Sequence, residues 1–203
     1  MLEVEIKARV DAPRDTARAL RQAGFASAGE VYEKDIYFNG PDRDFRKTDE
    51  ALRLRARISV DGGVKNHITY KGPKQKADAK TREEIETGIA SYEDMQAILR
   101  RLGYRPSVTV SKKRGYYKYH GGGAAESIAA GDVTICLDEV EGLGSYIELE
   151  LMMEDGEDGA AAGETLSRLL SLLRIDQNAC TQKSYAQLVF EGTSERRRPF
   201  GEA

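Results

Sequence analysis

Five short segments in which charged residues alternate with other residues recur along this 203-residue chain. Residues 3–7 have the sequence EVEIK and residues 147–150 the sequence IELE, whereas residues 52–57 have the sequence LRLRAR. Because residues i and i+2 of a β-strand lie on one face, each segment predicts a strand with one charged face and one apolar face. Acids dominate the first and last segments and bases dominate two of the middle ones.

When alternate residues of each predicted strand are assigned to the same face, most of the charged residues fall on one face of the sheet. In chain order the set is Glu3, Glu5, Lys7, Arg53, Arg55, Arg57, Lys71, Arg82, Glu84, Glu86, Lys112, Arg114, Asp138, Glu148 and Glu150. Buried charges are tolerated only when they are paired or bound to a ligand. Neighbours on one face of a strand lie only ~7 Å apart, so the paired acids of the first and last strands predict a bound cation.

The chemistry of these side chains predicts two kinds of ligand. A set of carboxylate oxygens suits the hard ions Mg²⁺ or Mn²⁺, and the absence of nearby histidine or cysteine argues against zinc. Arginines and lysines predict an anion rich in oxygens, because guanidinium groups match phosphate geometry with paired hydrogen bonds. Metal on one wall and phosphate on the other describe a triphosphate with its divalent cation. The alternative is a network of internal salt bridges without a ligand.

Composition restricts the other function classes. The net charge is only −3 although 32% of the residues are charged, which excludes an extended nucleic-acid surface. No apolar run approaches the ~18 residues that a membrane span requires, and the first residues predict a charged strand rather than a signal peptide. We therefore expect a cytoplasmic protein with one domain at 1–190 and a disordered polar tail at 191–203. A homodimer stays an open alternative.

The elements that must position these residues are mostly strands. Alternation and turn signals predict strands at 2–10, 31–38, 51–60, 64–71, 81–89, 107–119, 132–140 and 145–153. Helical spacing predicts helices between Pro13 and Gly24, between Ser91 and Gly103, at 164–174 and at 184–190. Strands that outnumber helices predict an α+β fold with a mainly antiparallel sheet. Its apolar face would pack outward under the helices.

The motifs that carry the charged residues resemble those of the CYTH, or triphosphate tunnel metalloenzyme, superfamily. In chain order the matching elements are E-x-E-x-K at 3–7, a second strand at 35–38, a basic strand at 52–55, T-x-K-G-P at 69–73, R-x-E-x-E at 82–86, K-x-R at 112–114, D-x-V-x-G-L-G-x-F-x-E-x-E at 138–150 (with Tyr146 at the F position) and S-Y at 184–185. The resemblance implies an eight-stranded antiparallel β-barrel, a triphosphate tunnel open at both mouths, with helices packed outside.

The resemblance also implies a role for each charged position. The implied metal ligands are Glu3, Glu5, Asp138, Glu148 and Glu150, of which Glu3, Glu5, Glu148 and Glu150 are the implied catalytic acids. The implied phosphate-binding residues are Lys7, Arg53, Arg55, Lys71, Arg82, Lys112 and Arg114. Glu84 and Glu86 match acidic tunnel positions whose role varies within the superfamily, and Lys183 belongs to the closing element.

Two reactions fit such a site. A class IV-type adenylyl cyclase converts ATP to cAMP and pyrophosphate when the ribose 3′-oxygen attacks the α-phosphorus. A triphosphatase instead directs water at the terminal phosphorus of tripolyphosphate, thiamine triphosphate or a nucleoside triphosphate. The first strand is more similar to the cyclase branch, because inorganic triphosphatases often have Arg where this chain has Ile6. A module that binds a small-molecule triphosphate such as ATP without catalysis is the third alternative.

Overall fold

A computed structural model describes residues 2–73, 83–128, 133–153 and 159–196, with side chains at 4–73, 83–128, 133–152 and 159–192. The strands are β1 (Leu2–Arg9), β2 (Phe25–Asn39), β3 (Ala51–Ser59), β4 (Val64–Lys71), β5 (Glu84–Ile89), β6 (Arg105–Tyr119), β7 (Val133–Val140), β8 (Gly144–Met153) and β9 (Cys180–Thr181). The helices are α1 (Pro13–Gln22), α2 (Tyr92–Arg101), α3 (Gly159–Leu172) and α4 (Tyr185–Arg196), and a 3₁₀ turn at Gln177–Ala179 precedes β9.

All strands belong to one antiparallel sheet, in the order β5-β4-β3-β2-β6-β7-β8-β1-β9. The predicted α+β class is therefore confirmed. The sheet does not close into the predicted eight-stranded barrel, however. Within the described residues β5 pairs with β4 alone, and the outer edge of β1 pairs with β9 at Lys7 and Ala8. Among the described residues no pairing joins β5 to β1 or β9, so the sheet is open between these edge strands.

Two long strands bend the middle of the sheet. β2 and β6 each contain 15 residues and pair along most of their length. Their register shifts between Ser27 and Gly29 and again between Tyr37 and Phe38, and such bulges bend a strand and increase its twist. Gly29 has a φ of +122°, a backbone conformation that glycine adopts without a steric penalty. One face of the sheet thereby becomes concave.

Helices cover the apolar face of the sheet, as the alternation predicts. Leu20 of α1 and Leu166 of α3 join Ile135 and Leu149 of the sheet in one fully buried cluster. A second cluster lies between α2 and β3 around the fully buried Leu54. Burial of each such side chain contributes roughly 1.5–3 kcal/mol, and this apolar layer supports the charged concave face. No helix in the described part of the chain is long and apolar enough to cross a membrane.

The last helix continues beyond the predicted domain end at 190. Lys183 Nζ donates to Glu191 Oε2 at 2.7 Å, and the Arg46 guanidinium lies 4.5 Å from the centroid of the Phe190 ring. These contacts attach α4 to the segment before it and to the loop between β2 and β3. Residues 191–196 therefore extend α4 rather than start a tail. Residues 197–203 lie outside the described residues, and their predicted disorder stays a prediction.

Candidate active site

The concave face of the sheet surrounds a cavity of about 730 Å³. Most of the predicted site residues line it, namely Glu5, Lys7, Arg53, Arg55, Lys71, Glu84, Lys112, Arg114, Glu148 and Glu150. They come from β1, β3, β4, β5, β6 and β8, and the beginning of α4 closes one side. Six strands thus bring into one space side chains that are far apart in the sequence.

The other predicted residues take different positions. The side chain of Glu3 and the whole of Arg82 lie outside the described residues, so their roles stay predictions. Asp138 is fully buried but does not line the cavity, and Glu86 hydrogen-bonds to neighbours on β3 and β4. The ammonium group of Lys183 pairs with an exposed glutamate of α4, and only its backbone carbonyl approaches the site.

Three carboxylates form an acidic cluster in the cavity wall. Glu5 of β1 lies opposite Glu150 of β8, and single oxygens of Glu5, Glu148 and Glu150 lie within 4.8 Å of one another. Carboxylate oxygens at this spacing match the ligands that Mg²⁺ and Mn²⁺ prefer. The donor set therefore fits the hard divalent cation that the sequence predicts.

Protein cations also lie against this acidic cluster. Lys7 Nζ is 3.0 Å from Glu148 Oε1 and 3.2 Å from Glu5 Oε1, and Arg114 donates to Glu148 Oε2. Burial alone would raise the pKa of Glu148, but Arg114 and Lys7 lower it to about 2. Lys7 and Arg114 thus neutralise part of the charge that the sequence pattern assigned to a metal, so the cluster is stable before any ligand binds.

Arg114 is held in a fixed orientation by Asp138. Its Nε donates to Asp138 Oδ1 at 2.7 Å and its Nη2 donates to Oδ2 at 2.6 Å, a bidentate pair with both partners buried. Burial opposes the charge of Arg114, but Glu148 and Asp138 raise its pKa well above the ordinary value. Asp138 also accepts from Lys112 at 3.4 Å and from the Tyr185 hydroxyl at 2.9 Å. Its oxygens thus accept from Arg114, Lys112 and Tyr185, and its implied role in binding metal stays a prediction.

The opposite wall repeats this arrangement on β2 and β3. Arg55 donates from Nε and Nη2 to the two oxygens of Asp35 at 2.6 Å and 2.7 Å. Beside it, Glu33 Oε1 accepts from Arg57 at 2.7 Å, and its Oε2 lies 3.2 Å from Lys112 Nζ and 3.4 Å from Arg55 Nη2. The two Oε2 contacts are ion pairs that lack hydrogen-bond geometry. Lys112 thereby links the two walls.

Glu33 and Asp35 were missed as site residues, although a signal was present. Residues 31–37 have the sequence VYEKDIY, in which Glu33, Asp35 and Tyr37 share one face of the strand. Both acids are 2% exposed. Burial would raise the pKa of Glu33, but the surrounding cations, Lys112 first, lower it to about 2.

Arg53 has hydrogen-bonding capacity that its protein partners do not use. Its Nη2 donates to Thr69 Oγ1 at 3.1 Å and to Glu86 Oε2 at 3.2 Å. Its Nε is buried and, among the described residues, has no hydrogen-bond partner. Arg53 also lines the cavity, so its guanidinium contributes positive charge to the wall even though Nε itself is enclosed by the protein.

Aromatic and apolar side chains also contribute to the cavity wall. Phe45, Ala51, Val108 and Phe190 line it, contributed by the β2–β3 loop, β3, β6 and α4. The loop is anchored where Asn39 Oδ1 accepts from the backbone N–H of Phe45 at 2.7 Å. The sequence pattern gave no indication of this surface, because it arises where a loop meets a distant helix.

Comparisons with known proteins agree with this geometry. A family model described as the CYTH domain matches residues 1–185. The Methanocaldococcus jannaschii protein MJ0240, described as a candidate adenylate cyclase, is 38% identical over 188 residues, which cover 93% of this chain and 98% of that protein. Adenylate cyclase CyaB of Aeromonas hydrophila is 28% identical over 156 residues, or 77% of this chain and 71% of that protein. The solved structure of PH1819 from Pyrococcus horikoshii OT3 has a TM-score of 0.78 and 35% identity, covering 94% of this chain and 99% of that one.

Proposed function

The chain belongs to the CYTH family, and we propose that it is an adenylyl cyclase that converts ATP to cAMP and pyrophosphate with a divalent cation. The observation that carries the proposal is a single cavity of about 730 Å³ in which a carboxylate cluster adjoins a wall of arginines and lysines. Pockets that enclose whole small molecules have volumes of about 300–1,000 Å³. This cavity therefore leaves room for a nucleoside beyond its phosphates.

The basic wall would bind the triphosphate. Lys7 and Arg114 pair with Glu148 of the acidic cluster, and Lys112 lies close enough to help lower the pKa of Glu148. Their donors can stabilise the charge that develops on phosphate oxygens as pyrophosphate leaves. Arg55 and Arg53 continue this wall along β3. In the proposed reaction the ribose 3′-oxygen attacks the α-phosphorus in line, and the bond from that phosphorus to the bridging oxygen of pyrophosphate breaks. The wall holds the two reacting groups in one orientation.

Glu5, Glu148 and Glu150 would hold the divalent cation, since their oxygens form the acidic cluster. Such an ion, when bound, neutralises phosphate charge and lowers the pKa of a nearby hydroxyl. Glu148 is ionised throughout the neutral pH range because its pKa is about 2. Glu148 can therefore offer a charged ligand at neutral pH.

The side chains around Phe190 favour a nucleotide over an inorganic chain. Phe190 lines the cavity and is partly exposed, with the Arg46 guanidinium 4.5 Å from its ring centroid. A purine ring can stack on such a surface, whereas tripolyphosphate has no ring to place there. The adenylate cyclase names of the relatives at 38% and 28% identity support the same substrate.

Product analysis tests the proposal. The protein is incubated with Mg²⁺ or Mn²⁺ and either ATP or tripolyphosphate, and cAMP, pyrophosphate and orthophosphate are separated. The proposal predicts equal amounts of cAMP and pyrophosphate from ATP, and little orthophosphate from either substrate. Orthophosphate released from both substrates would identify a triphosphatase instead. Binding of both without turnover would identify a module without catalytic activity.

A further inference from the structure

Tyr185, the first residue of α4, contacts lysines from two different strands. Its ring centroid lies 4.5 Å from Nζ of Lys7 on β1 and 5.0 Å from Nζ of Lys112 on β6. A lysine ammonium ends a flexible stem, and an aromatic face within ~6 Å attracts it most strongly when both groups are desolvated. All three side chains are buried. The ring therefore restrains two of the cations that line the cavity.

The hydroxyl of Tyr185 reaches a third cation indirectly. It donates to Asp138 Oδ2 at 2.9 Å, and the same carboxylate forms the bidentate pair with Arg114. Loss of this donor would leave Asp138 held by Arg114 and Lys112 alone, with one restraint fewer on the orientation of the Arg114 pair. The uncharged Tyr185 side chain thus contacts Lys7 and Lys112 directly and Arg114 through Asp138.

The position of Tyr185 is itself well defined. Before it, Ser184 N donates to Gln187 Oε1 at 2.8 Å, and Gln187 N donates to Ser184 Oγ at 3.2 Å. This reciprocal pair fixes the first turn of a helix. The Tyr185 ring also packs edge-on against Tyr146 of β8, with centroids 5.3 Å apart. The first turn of α4 is therefore capped by Ser184 and Gln187 and packed against the sheet through Tyr146.

We propose that Tyr185 is a positioning residue that sets the geometry of Lys7, Lys112 and Arg114 for a phosphate ligand. These cations already pair with carboxylates, and a further carboxylate at this position would reduce their net positive charge. An aromatic ring and a hydroxyl restrain them without adding negative charge. The inference rests on the proposed function in taking a phosphate chain as the ligand, and it holds for cyclase and triphosphatase alike.

Two variants separate the contributions of the ring and the hydroxyl. Tyr185→Phe keeps the ring and loses the contact to Asp138, whereas Tyr185→Leu loses both. Tripolyphosphate binding is measured by calorimetry in EDTA, so that metal affinity does not enter. We expect Kd to rise about tenfold for Tyr185→Phe and on the order of a hundredfold for Tyr185→Leu, from the strengths of a charge-assisted hydrogen bond and a desolvated cation–π contact. Tyr119→Phe, which removes a hydroxyl bound to Gly122 O near an exposed loop, should leave Kd unchanged.

Side-chain NMR of the lysines provides a readout that general loosening of the fold would not reproduce. Ring-current shifts of the Lys7 and Lys112 methylenes should persist in Tyr185→Phe and disappear in Tyr185→Leu. Wild-type Kd retained in a folded Tyr185→Leu, or an equal loss in both variants, would overturn the inference. If Tyr185→Leu does not fold, unchanged affinity in Tyr185→Phe overturns it. Wild-type protein that binds no tripolyphosphate, either in EDTA or with Mg²⁺ added, would contradict the proposed function, while lysine shifts that depend on the ring would still support the positioning geometry.

Discussion

Replacing Glu33 by glutamine removes one buried charge from beneath the basic wall and changes little in volume. Glu33 is 2% exposed and contacts Lys112, Arg55 and Arg57. Burial would raise its pKa, yet these cations lower it from the ordinary 4.5 to about 2. At about 1.36 kcal/mol per pKa unit, that difference corresponds to roughly 3 kcal/mol of native-state stability at neutral pH. Glu33→Gln should lose an amount of this order.

The pH dependence of this loss has a defined sign. Because the native pKa lies below the unfolded one, the stabilisation is complete above about pH 4.5 and is lost as the pH falls through about 2. The glutamine has no proton to exchange. The stability gap between wild type and Glu33→Gln should therefore be widest at neutral pH and should narrow steadily below pH 4.5.

Thermal unfolding of the two proteins at several pH values measures the gap. For a chain of this size, a loss of 1 kcal/mol in the free energy of unfolding lowers the melting temperature by about 2–4 °C. Glu33→Gln should therefore melt roughly 6–12 °C below the wild type at pH 7. Glu30→Gln is the matched control, because Glu30 lies on the same strand and pairs with Lys113 at 3.0 Å, but both side chains are partly exposed. A loss in Glu33→Gln no larger than that of the control, or a gap that does not change with pH, would refute the reasoning.

Two further predictions concern metal and phosphate. Glu148→Gln should remove most turnover supported by Mg²⁺ or Mn²⁺, because it deletes a carboxylate of the acidic cluster. Glu139→Gln, on the exposed side of β7, should leave turnover unchanged. Near-normal turnover in Glu148→Gln would exclude Glu148 from the site. Tripolyphosphate at a hundredfold excess over Kd should add about 2.7 kcal/mol of stability, and Arg55→Ala or Arg114→Ala should reduce the resulting rise in melting temperature. No rise in the wild type with metal present would count against a phosphate site.

Strand periodicity predicted most of the charged side chains that line the cavity. Alternation depends only on local backbone geometry, so it placed Lys7, Arg55 and Glu148 on the cavity side before any pairing was known. The same pattern placed Leu54 and Leu149 under the helices, where both are fully buried. The open edges of the sheet were not predictable in this way, because alternation within a strand does not specify its neighbours and the edge strand β9 has only two residues.

Contacts between distant segments account for what the sequence pattern missed. Glu33 lies on a strand that also carries the outward Lys34, so it does not stand out as part of an acidic or a basic run. Its importance comes from Lys112, which the register of β2 against β6 places opposite it. Tyr185 likewise meets Asp138 across 47 residues of sequence. Such partners follow from strand order and helix docking, which periodicity does not specify.

A comparison of ATP with 3′-deoxy-ATP tests the proposed reaction most directly. Cyclisation requires the 3′-oxygen as the nucleophile, whereas hydrolysis at the terminal phosphorus uses water and does not depend on that oxygen. With metal present, we expect cAMP and pyrophosphate from ATP and neither product from 3′-deoxy-ATP. Orthophosphate released from both nucleotides at similar rates would contradict it and identify the protein as a triphosphatase.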